Sequence, residues 1–358
     1  MSKNSTRQVT CLIFFTVLLT GLCTQVLAME SGSAIAQPPS AKKTSAPNML
    51  KTPTKIRLAL TLAGGGSRGV AHIGVLKVLH KEGIEPALIT GSSVGAMIGS
   101  LYAAGLTPEE IEKLALNGDL KKAYFPRPRF LQSIIYGARY GLSRLMFLKP
   151  KIGLYSGRSI ARFIENNLPS GVTEFKDLKI PLVVTSLNLI DTKPVWISSG
   201  KVSFAVRVSN TVPFMYRSPG SIEGPQLVDG GIRSNLPTGI ADALGAPLVV
   251  AVKLHSYLEK SPRKEFDTNL EYADRVTSIL MAEIEGKAVG TADIIIEPKV
   301  EFMTMHTFDE EHLKCAIKAG ELAALQKLQA IKAGLHAIEQ NRNQIDIIKS
   351  RVNHPKRI

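Results

Sequence analysis

A serine set between two glycines is the residue of this sequence best suited to covalent chemistry. Ser93 is the centre of the pentapeptide GSSVG at 91–95, which follows an apolar run at 86–90 and precedes a small-residue segment at 96–104. Gly91 and Gly95 permit a sharp turn between a strand and a helix, which exposes the central serine at the positive end of the helix. The spacing therefore predicts Ser93, not Ser92, as a nucleophile. The alternative is an ordinary βα turn that happens to be rich in glycine and serine.

A glycine-rich loop lies between the first predicted strand and the first predicted helix. Its residues are Gly64, Gly65, Gly66, Ser67, Arg68 and Gly69. Consecutive glycines at the start of a helix expose N–H groups that stabilise negative charge on a carbonyl oxygen, an effect worth about 3 kcal/mol per donor. We interpret this loop as an oxyanion hole in which the Gly65 and Gly66 amides are the main donors. Arg68 either adds positive charge or anchors the loop.

The same loop matches the Gly-x-Gly-x-x-Gly pattern of dinucleotide-binding proteins, which also joins a strand to a helix. That pattern requires an acidic residue at the end of the second strand, about twenty residues on. Here the second predicted strand ends at Thr90 and continues into the serine turn, while Glu82 and Glu85 precede the strand. Dinucleotide binding is therefore the less favoured alternative, and cofactor-dependent thermal stabilisation would identify it.

A serine nucleophile needs a proton acceptor, and the sequence offers an aspartate more readily than a histidine. Asp229 follows the apolar run 226–228 and precedes Gly230 and Gly231. A carboxylate at a strand end can face the same sheet edge as Ser93 and act as general base in a two-residue dyad, although an Asp-Gly pair is also a common turn. The histidines lack a glycine-flanked loop, and His255, which follows a predicted strand, is the histidine alternative.

The elements that must position these residues alternate along the chain. Strands are predicted at 56–63, 86–90, 182–187, 195–197, 226–228, 247–254 and 293–296, and helices at 70–81 and from about residue 309. Most of the strands are continuous apolar runs, which indicates burial on both faces. The pattern predicts a three-layer α/β/α domain with a mainly parallel central sheet and a long C-terminal helix.

The N-terminal region is typical of a secretory signal. A basic start precedes an apolar run at 11–19, and small residues end at Ala28, so we expect a signal peptide at 1–28. The Ser-, Ala-, Pro- and Lys-rich segment 29–54 is typical of a flexible linker. Cleavage would leave Cys315 as the remaining cysteine, which we expect to be packed in the core. We expect export to the periplasm or the exterior.

The net charge of +14 favours anionic partners. For an exported protein, phospholipid headgroups are more natural partners than nucleic acid, whose recognition motifs we do not find. A basic aromatic segment at 120–152 has no acidic residue and carries Tyr124, Phe125, Phe130, Tyr136, Tyr140 and Phe147 among its basic residues. It either contacts an anionic bilayer and admits lipid to Ser93, or forms a solvated basic hairpin whose aromatics pack on the sheet.

The glycine loop, the serine turn and the Asp-Gly-Gly sequence, in this order, resemble the patatin-like phospholipase family over roughly residues 56–255. The segments 69–76 and 205–213 are similar too, and the C-terminal region looks like the bacterial branch related to neuropathy target esterase. The resemblance implies a Ser93–Asp229 dyad, oxyanion donors in 64–69, and hydrolysis of acyl esters in phospholipids or lysophospholipids without a metal or other cofactor. Gly231 departs from the family, since many members have alanine there.

The resemblance also implies an organisation and a biological role. We expect a patatin-like hydrolase domain at 55–300 and a C-terminal helical segment at 301–358 that packs on it and ends in a frayed tail. The protein would be a serine lipid acyl hydrolase in lipid catabolism or membrane lipid remodelling, peripheral on a membrane. An exported lipid-binding protein with an inactive hydrolase fold is the non-enzymatic alternative, and labelling by a fluorophosphonate would separate the two.

Overall fold

The computed structural model describes residues 57–146, 152–219, 225–255 and 267–353. The expected signal peptide at 1–28, the expected linker at 29–54 and the tail at 354–358 lie outside these ranges. So do residues 147–151 of the basic aromatic segment.

A seven-stranded sheet forms the centre of the described structure. Its strands are β1 (Ala59–Leu62), β2 (Leu88–Gly91), β3 (Leu182–Asn188), β4 (Pro194–Ile197), β5 (Leu227–Asp229), β6 (Val249–Val252) and β7 (Ile294–Ile296). The order is β4-β3-β2-β1-β6-β7, and β5 pairs with β3. β4 and β5 run antiparallel to β3, while the other neighbours are parallel. The predicted mainly parallel sheet is confirmed.

Helices connect these strands. They are α1 (Ala71–Lys81), α2 (Val94–Ala103), α3 (Pro108–Leu116), α4 (Asp119–Tyr124), α5 (Arg129–Leu145), α6 (Arg158–Asn167), α7 (Val202–Ser209), α8 (Gly231–Ser234), α9 (Thr238–Ala243), α10 (Asn269–Ala288) and α11 (Glu310–Asn353). A short 3₁₀ turn at Gly66–Val70 leads into α1.

Alternate residues of the sheet point into two separate cores. Leu60 and Leu62 of β1 belong to the larger core, which includes residues of α1, α2 and α11. Ala59 of the same strand packs with Ile240 and Ala241 of α9 in the smaller core. Because successive side chains of a strand point to opposite faces, both faces of the sheet are covered by helices. The three-layer arrangement follows from this alternation.

The long C-terminal helix α11 crosses α1 at close range. A Cβ on Gly74 would collide with the carbonyl oxygen of Ile317, and one on Gly320 with that of Ala71. Leu313 and Ile331 of α11 are buried. Cys315, however, is exposed, so the expected core position was wrong. Position on a helix face depends on rotation about the helix axis, and α11 turns Ala316 and Ile317 inward at this point instead.

The basic aromatic segment divides into a packed part and an exposed part. Tyr124 is buried, and Phe125 contacts the ring of Phe308, which precedes α11. Along α5, Phe130 is 75% exposed and Leu145 is 77% exposed. None of the described helices combines the length and the apolar character needed to span a bilayer.

Candidate active site

The two edges of β3 decide where the candidate residues meet. β4 pairs along one edge, and β2 and β5 follow one another along the other. Val184 pairs with Gly91 of β2, and Ser186 pairs with Asp229 of β5. Two residues of a strand span about 7 Å, so Asp229 lies just beyond the end of β2. The chain turns away from the sheet at Ser93 in this place, and the two candidate residues therefore lie at the same end of β2.

Ser93 is held in a conformation that serine rarely adopts. Its φ of 50° and ψ of −121° fall in a region that is strained by about 1–3 kcal/mol for a residue with a side chain. The Ser93 N–H donates to Ser209 Oγ at 2.8 Å, and Asn210 Nδ2 donates to the Ser93 carbonyl oxygen at 2.9 Å. These hydrogen bonds from the end of α7 hold the turn, which has the strand–turn–helix geometry of a nucleophile elbow.

The two glycines that flank the turn are required by close backbone packing. A Cβ on Gly91 would lie 2.7 Å from the amide nitrogen of Ala96. A Cβ on Gly95 would collide with the carbonyl oxygen of Leu62 in β1. The backbone of α2 therefore starts in direct contact with the sheet, which places Ser93 at its N-terminus.

Asp229 is buried at the end of β5. Its Oδ1 accepts a hydrogen bond from the Gly231 N–H at 2.8 Å. Burial raises the pKa of Asp229 to about 6, while the hydrogen bonds from the Gly231 amide and the Ser93 side chain act in the lowering direction. The structure shows no cation at this carboxylate among the described residues. Asp229 is therefore a stronger base than an exposed aspartate, because desolvation disfavours its charged form.

The Ser93 hydroxyl has two acceptors within reach. One is the Asp229 carboxylate, and the other is Asn210 Oδ1 at 3.4 Å. Asn210 Oδ1 already accepts a hydrogen bond from the Tyr124 hydroxyl at 2.8 Å. A carboxylate is also the stronger acceptor. Asp229 is therefore the candidate acceptor of the Ser93 proton, and Asn210, which also donates to the Ser93 carbonyl oxygen, is a candidate positioning residue.

The glycines after Asp229 are closely packed as well. A Cβ on Gly230 would lie 2.6 Å from the carbonyl oxygen of Thr185. A Cβ on Gly231 would lie 2.6 Å from Asn235 Oδ1. The departure from alanine at this position therefore has a local reason, since the Asn235 side chain occupies the space that a methyl group would need.

The glycine loop begins beside the nucleophile. A Cβ on Gly64 would lie 3.1 Å from Ser93 Cβ. The Gly64 N–H donates to the Asn235 carbonyl oxygen at 3.2 Å, and Asn235 Nδ2 donates to the Gly64 carbonyl oxygen at 3.1 Å. Gly64 is thus bound on both sides, and its N–H is not available to a substrate.

Within the described ranges, the Gly65 and Gly66 N–H groups have no acceptor. Gly66 has φ +60°, and a Cβ there would lie 2.5 Å from the Met305 carbonyl oxygen, so both the conformation and the space require glycine. The next amide, that of Ser67, donates to the Met305 carbonyl oxygen at 3.1 Å. The loop therefore offers Gly65 and Gly66 rather than Gly64 or Ser67 as donors. Gly69 packs against the side chain of Val94.

The Arg68 side chain anchors the loop and does not add charge at Ser93. Its Nε donates to the Met303 carbonyl oxygen at 2.8 Å, and its terminal nitrogens donate to Ser278 Oγ at 3.0 Å and Asp274 Oδ2 at 2.9 Å. Asp274 Oδ1 in turn accepts from the Met305 N–H at 2.7 Å. The anchoring alternative is the one that this geometry supports.

His255 and Glu285 extend this arrangement beneath the loop. His255 Nδ1 lies 2.7 Å from Glu285 Oε1, and His255 Nε2 lies 3.5 Å from an Arg68 nitrogen. Glu285 is fully buried and also accepts from the Asn235 side chain and the His255 N–H. Both ring nitrogens of His255 face these groups, which does not support His255 as the base for Ser93. We call Arg68, Asn235, His255, Asp274 and Glu285 the loop-anchoring network.

Sequence reasoning did not assign roles to several residues that the structure brings to the site. Ser209 and Asn210 lie in the segment 205–213, whose similarity to the family was noted without a function for either side chain. Asn235 and Glu285 carried no recognisable pattern, because their partners are far away in the chain. His72 is buried behind the glycine loop and donates to the Ala63 carbonyl oxygen at 2.8 Å, and burial lowers its pKa to about 4.

The fold and the site define an α/β protein with a nucleophile elbow beside a glycine loop. Comparison with protein families identifies the family: the model of the patatin-like phospholipases matches residues 60–242. The chain belongs to this family. The expected relation to the branch named after neuropathy target esterase (NTE) is confirmed, because similar proteins are named NTE family proteins and NTE lysophospholipases.

Similar curated proteins include an uncharacterised NTE family protein of Mycobacterium tuberculosis (strain ATCC 25618 / H37Rv). It is 29% identical over 214 residues, which is 60% of this chain and 53% of that protein. The lysophospholipase nte1 of Aspergillus fumigatus is 29% identical over 206 residues, or 58% of this chain and 12% of that protein. The matched region thus spans about half of the mycobacterial relative and a small part of the fungal one.

Among solved structures, VipD from Legionella pneumophila matches with a TM-score of 0.45 and 17% identity, over 76% of this chain and 66% of that chain. The type III effector protein ExoU matches with a TM-score of 0.41 and 14% identity, over 77% of this chain and 53% of that chain.

Proposed function

We propose that this protein is a serine lipid acyl hydrolase of phospholipase A or lysophospholipase type. The observation that carries the proposal is the interaction of the Ser93 side chain, on its strained turn, with the buried Asp229 carboxylate, whose pKa is raised to about 6. A base of this pKa is largely ionised at neutral pH and still accepts a proton more readily than an exposed aspartate. Membership of the patatin-like phospholipase family supports a lipid ester as substrate.

The reaction proceeds in two steps. Asp229 accepts the hydroxyl proton of Ser93 as the Ser93 oxygen attacks the acyl carbonyl carbon, and the Gly65 and Gly66 N–H groups stabilise the oxyanion. The intermediate collapses, the ester C–O bond breaks, and the leaving alcohol takes the proton from Asp229. A water molecule then gives its proton to Asp229 and attacks the acyl-serine. The fatty acid leaves, and the proton returns to the Ser93 oxygen.

Substitution of the dyad tests this proposal. We expect Ser93→Ala and Asp229→Asn each to reduce kcat by about 10⁴-fold or more, as for other residues that act as a unit with a nucleophile. Ser92→Ala is the matched control, because the Ser92 hydroxyl is buried without a hydrogen-bond partner in the described structure. Products from a panel of phospholipids and lysophospholipids are measured by mass spectrometry, and circular dichroism checks folding. Substantial turnover by a folded Ser93→Ala or Asp229→Asn variant would show that the wrong pair has been chosen.

We further propose that α5 lies on an anionic bilayer. Phe130, Leu131, Ile134, Leu142 and Leu145 are exposed apolar residues of this helix. At about 100° per residue they fall within one third of the helix circumference. Arg139 and Arg144 are placed on either side of this apolar stripe by the same spacing, and 120–152 has no acidic residue. A helix of this kind lies in the interface, with its apolar face among the acyl chains and its cations at the headgroups.

Removal of the apolar residues should release the protein from vesicles. We expect the double variant Phe130→Ser/Leu145→Ser to bind vesicles that contain phosphatidylglycerol at least tenfold more weakly in a flotation assay, about 1.4 kcal/mol or more. Leu322→Ser/Leu325→Ser on α11 is the matched control, because these two leucines are 51% and 50% exposed outside α5. Equal vesicle binding by both double variants would refute a role for α5.

A further inference from the structure

A pocket beside α5 is lined by arginines that the proposed reaction does not use. Arg127, Arg162 and Arg217 line it together with Gln132 of α5 and the serines 156 and 159 at the start of α6. The three arginines come from separate parts of the chain and converge on one small depression. A lining that combines guanidinium and hydroxyl groups is suited to an anion.

Two further arginines stand close to this lining. Arg158 lies one helical turn before Arg162 on α6, so both project from the same side of the helix. An Arg207 terminal nitrogen donates to the carbonyl oxygen of Ser156 at 2.8 Å. We call Arg127, Arg158, Arg162, Arg207 and Arg217 the arginine pocket.

Among the described residues, the positive charges of the arginine pocket have no compensating acid. No carboxylate among the described residues forms an ion pair with any of the five. The closest acid in sequence on α6, Glu165, accepts instead from Ser203 Oγ at 2.8 Å. Partial burial, followed by the like charges of Arg158 and Arg217, lowers the pKa of Arg207. Burial, followed by Arg139 and Arg158, lowers the pKa of Arg217. Such a cluster raises the local positive potential and attracts anions.

The cluster also contains unsatisfied donors. Arg207 Nε and Arg217 Nε are buried and have no hydrogen-bond partner in the part of the chain that the structure describes. Buried polar atoms are normally hydrogen-bonded, so two such donors in one arginine cluster indicate a missing acceptor. Next to it, α6 begins at Arg158 after an N-cap, Gly157, that has no side chain to cap the helix, and the Arg158 N–H is 3.4 Å from Ser156 Oγ. The positive end of the helix dipole at this N-terminus favours an anion.

We propose that the arginine pocket binds a phosphate group. Guanidinium groups match phosphate oxygens in a bidentate fork, and several arginines from different directions suit a tetrahedral anion better than a planar carboxylate. Two sources share this chemistry: the phosphodiester of a lipid headgroup, and free inorganic phosphate or a soluble phosphate ester. The headgroup source rests on the proposed lipid substrate, whereas the phosphate site itself does not.

The arginine pocket is connected to the candidate active site along α7 and through hydrogen bonds of tyrosine side chains. Arg207 precedes Ser209, whose hydroxyl accepts from the Ser93 N–H, by two residues on α7. From the segment that carries Arg217, the Tyr216 hydroxyl donates to the Tyr124 carbonyl oxygen at 2.7 Å. The Tyr124 hydroxyl in turn donates to Asn210. A headgroup phosphate held by the arginines would thus be fixed relative to the elements that carry Ser93.

Phosphate binding is measured on the Ser93→Ala protein, so that hydrolysis plays no part. Inorganic phosphate is titrated against chloride at matched ionic strength by calorimetry and thermal shift. We expect phosphate-specific binding that Arg162→Gln and Arg217→Gln each weaken by about tenfold, the loss of a charge-assisted hydrogen bond. Arg57→Gln is the matched control, because Arg57 pairs with Glu339 and does not line the pocket. Binding equal to that of chloride, or unchanged in both pocket variants, would overturn the proposal.

Kinetics of the wild-type protein then identify the source of the phosphate. If the pocket takes a headgroup, inorganic phosphate raises KM for a short-chain phospholipid and leaves hydrolysis of an uncharged soluble ester unchanged. If it takes free phosphate, phosphate binds without an effect on KM for the phospholipid. Both results support the site. A failure of the dyad would appear as turnover by Ser93→Ala with phosphate binding intact, so the two proposals fail separately.

Discussion

Arginine plays opposite parts in two regions of this molecule. In the loop-anchoring network, Arg68 is buried, pairs with Asp274 at 2.9 Å and donates to Met303 and Ser278 as well. In the arginine pocket, Arg207 and Arg217 are only partly buried, yet each keeps a buried Nε without an acceptor among the described residues. A cation that the protein compensates serves the structure, whereas cations left uncompensated together indicate a ligand. Replacement of an arginine by glutamine should therefore change the free energy of unfolding in opposite directions in the two regions.

The largest effect is expected in the loop-anchoring network. Arg68→Gln leaves Asp274 as a buried carboxylate without its cation, and such a change lowers the free energy of unfolding by about 3–5 kcal/mol. Urea denaturation of Arg68→Gln measures this loss. Arg57→Gln, which breaks an ion pair of half-exposed side chains, should change the same free energy by about 1 kcal/mol or less. Equal stabilities of the two variants would show that the network does not anchor the loop.

Asp229, the proposed general base, is the intermediate case, since it is a buried carboxylate with no cation beside it among the described residues. Its pKa is raised to about 6, so the base is protonated below this pH. We expect kcat/KM for a soluble ester to rise about tenfold per pH unit up to about pH 6 and then level off. A profile that is flat from pH 4.5 to 8 would contradict this assignment.

The same raised pKa has a consequence for stability. The pKa of Asp229 is higher in the folded state than in the unfolded state. The stability that protonated Asp229 contributes to the fold is therefore fully present below the unfolded pKa and is lost as pH rises through about 6. A shift of two pKa units corresponds to about 3 kcal/mol. Asp229→Asn should therefore be more stable than the wild type at pH 8 and similar to it at pH 4, which denaturation at the two values measures.

The smallest change in the free energy of unfolding is expected in the arginine pocket, where the substitution should stabilise the protein. Arg158 acts on both Arg207 and Arg217 and lies one turn from Arg162. Arg158→Gln removes these repulsions and should raise the free energy of unfolding by about 0.5 kcal/mol at low salt. The gain should disappear at 1 M salt, where charges are screened. Destabilisation of Arg158→Gln at low salt would indicate that Arg158 forms an ion pair, which would contradict the contrast between the arginine pocket and the loop-anchoring network.

Much of the candidate site could be predicted because its chemistry is local. The turn at Ser93, the run of glycines at 64–66 and the Asp-Gly-Gly at 229–231 are short patterns whose backbone geometry depends on adjacent residues. The strand positions were predicted for the same reason, although the strands of the structure are shorter than several predicted runs. At Cys315 this reasoning failed, because an apolar residue within a helical pattern does not fix the rotation of the helix.

The sequence by itself determined the class of fold and the candidate residues for the proposed reaction, since apolar periodicity and glycine placement act over a few residues. Only the tertiary structure decided how these residues are combined. β5 must occupy the edge of β3 beyond β2 before Asp229 can reach Ser93. Contacts with Asn235 and Met305 select which amides of the glycine loop stay open. The five arginines of the pocket converge from α6, α7 and two loops, which is a matter of long-range packing that no local pattern encodes.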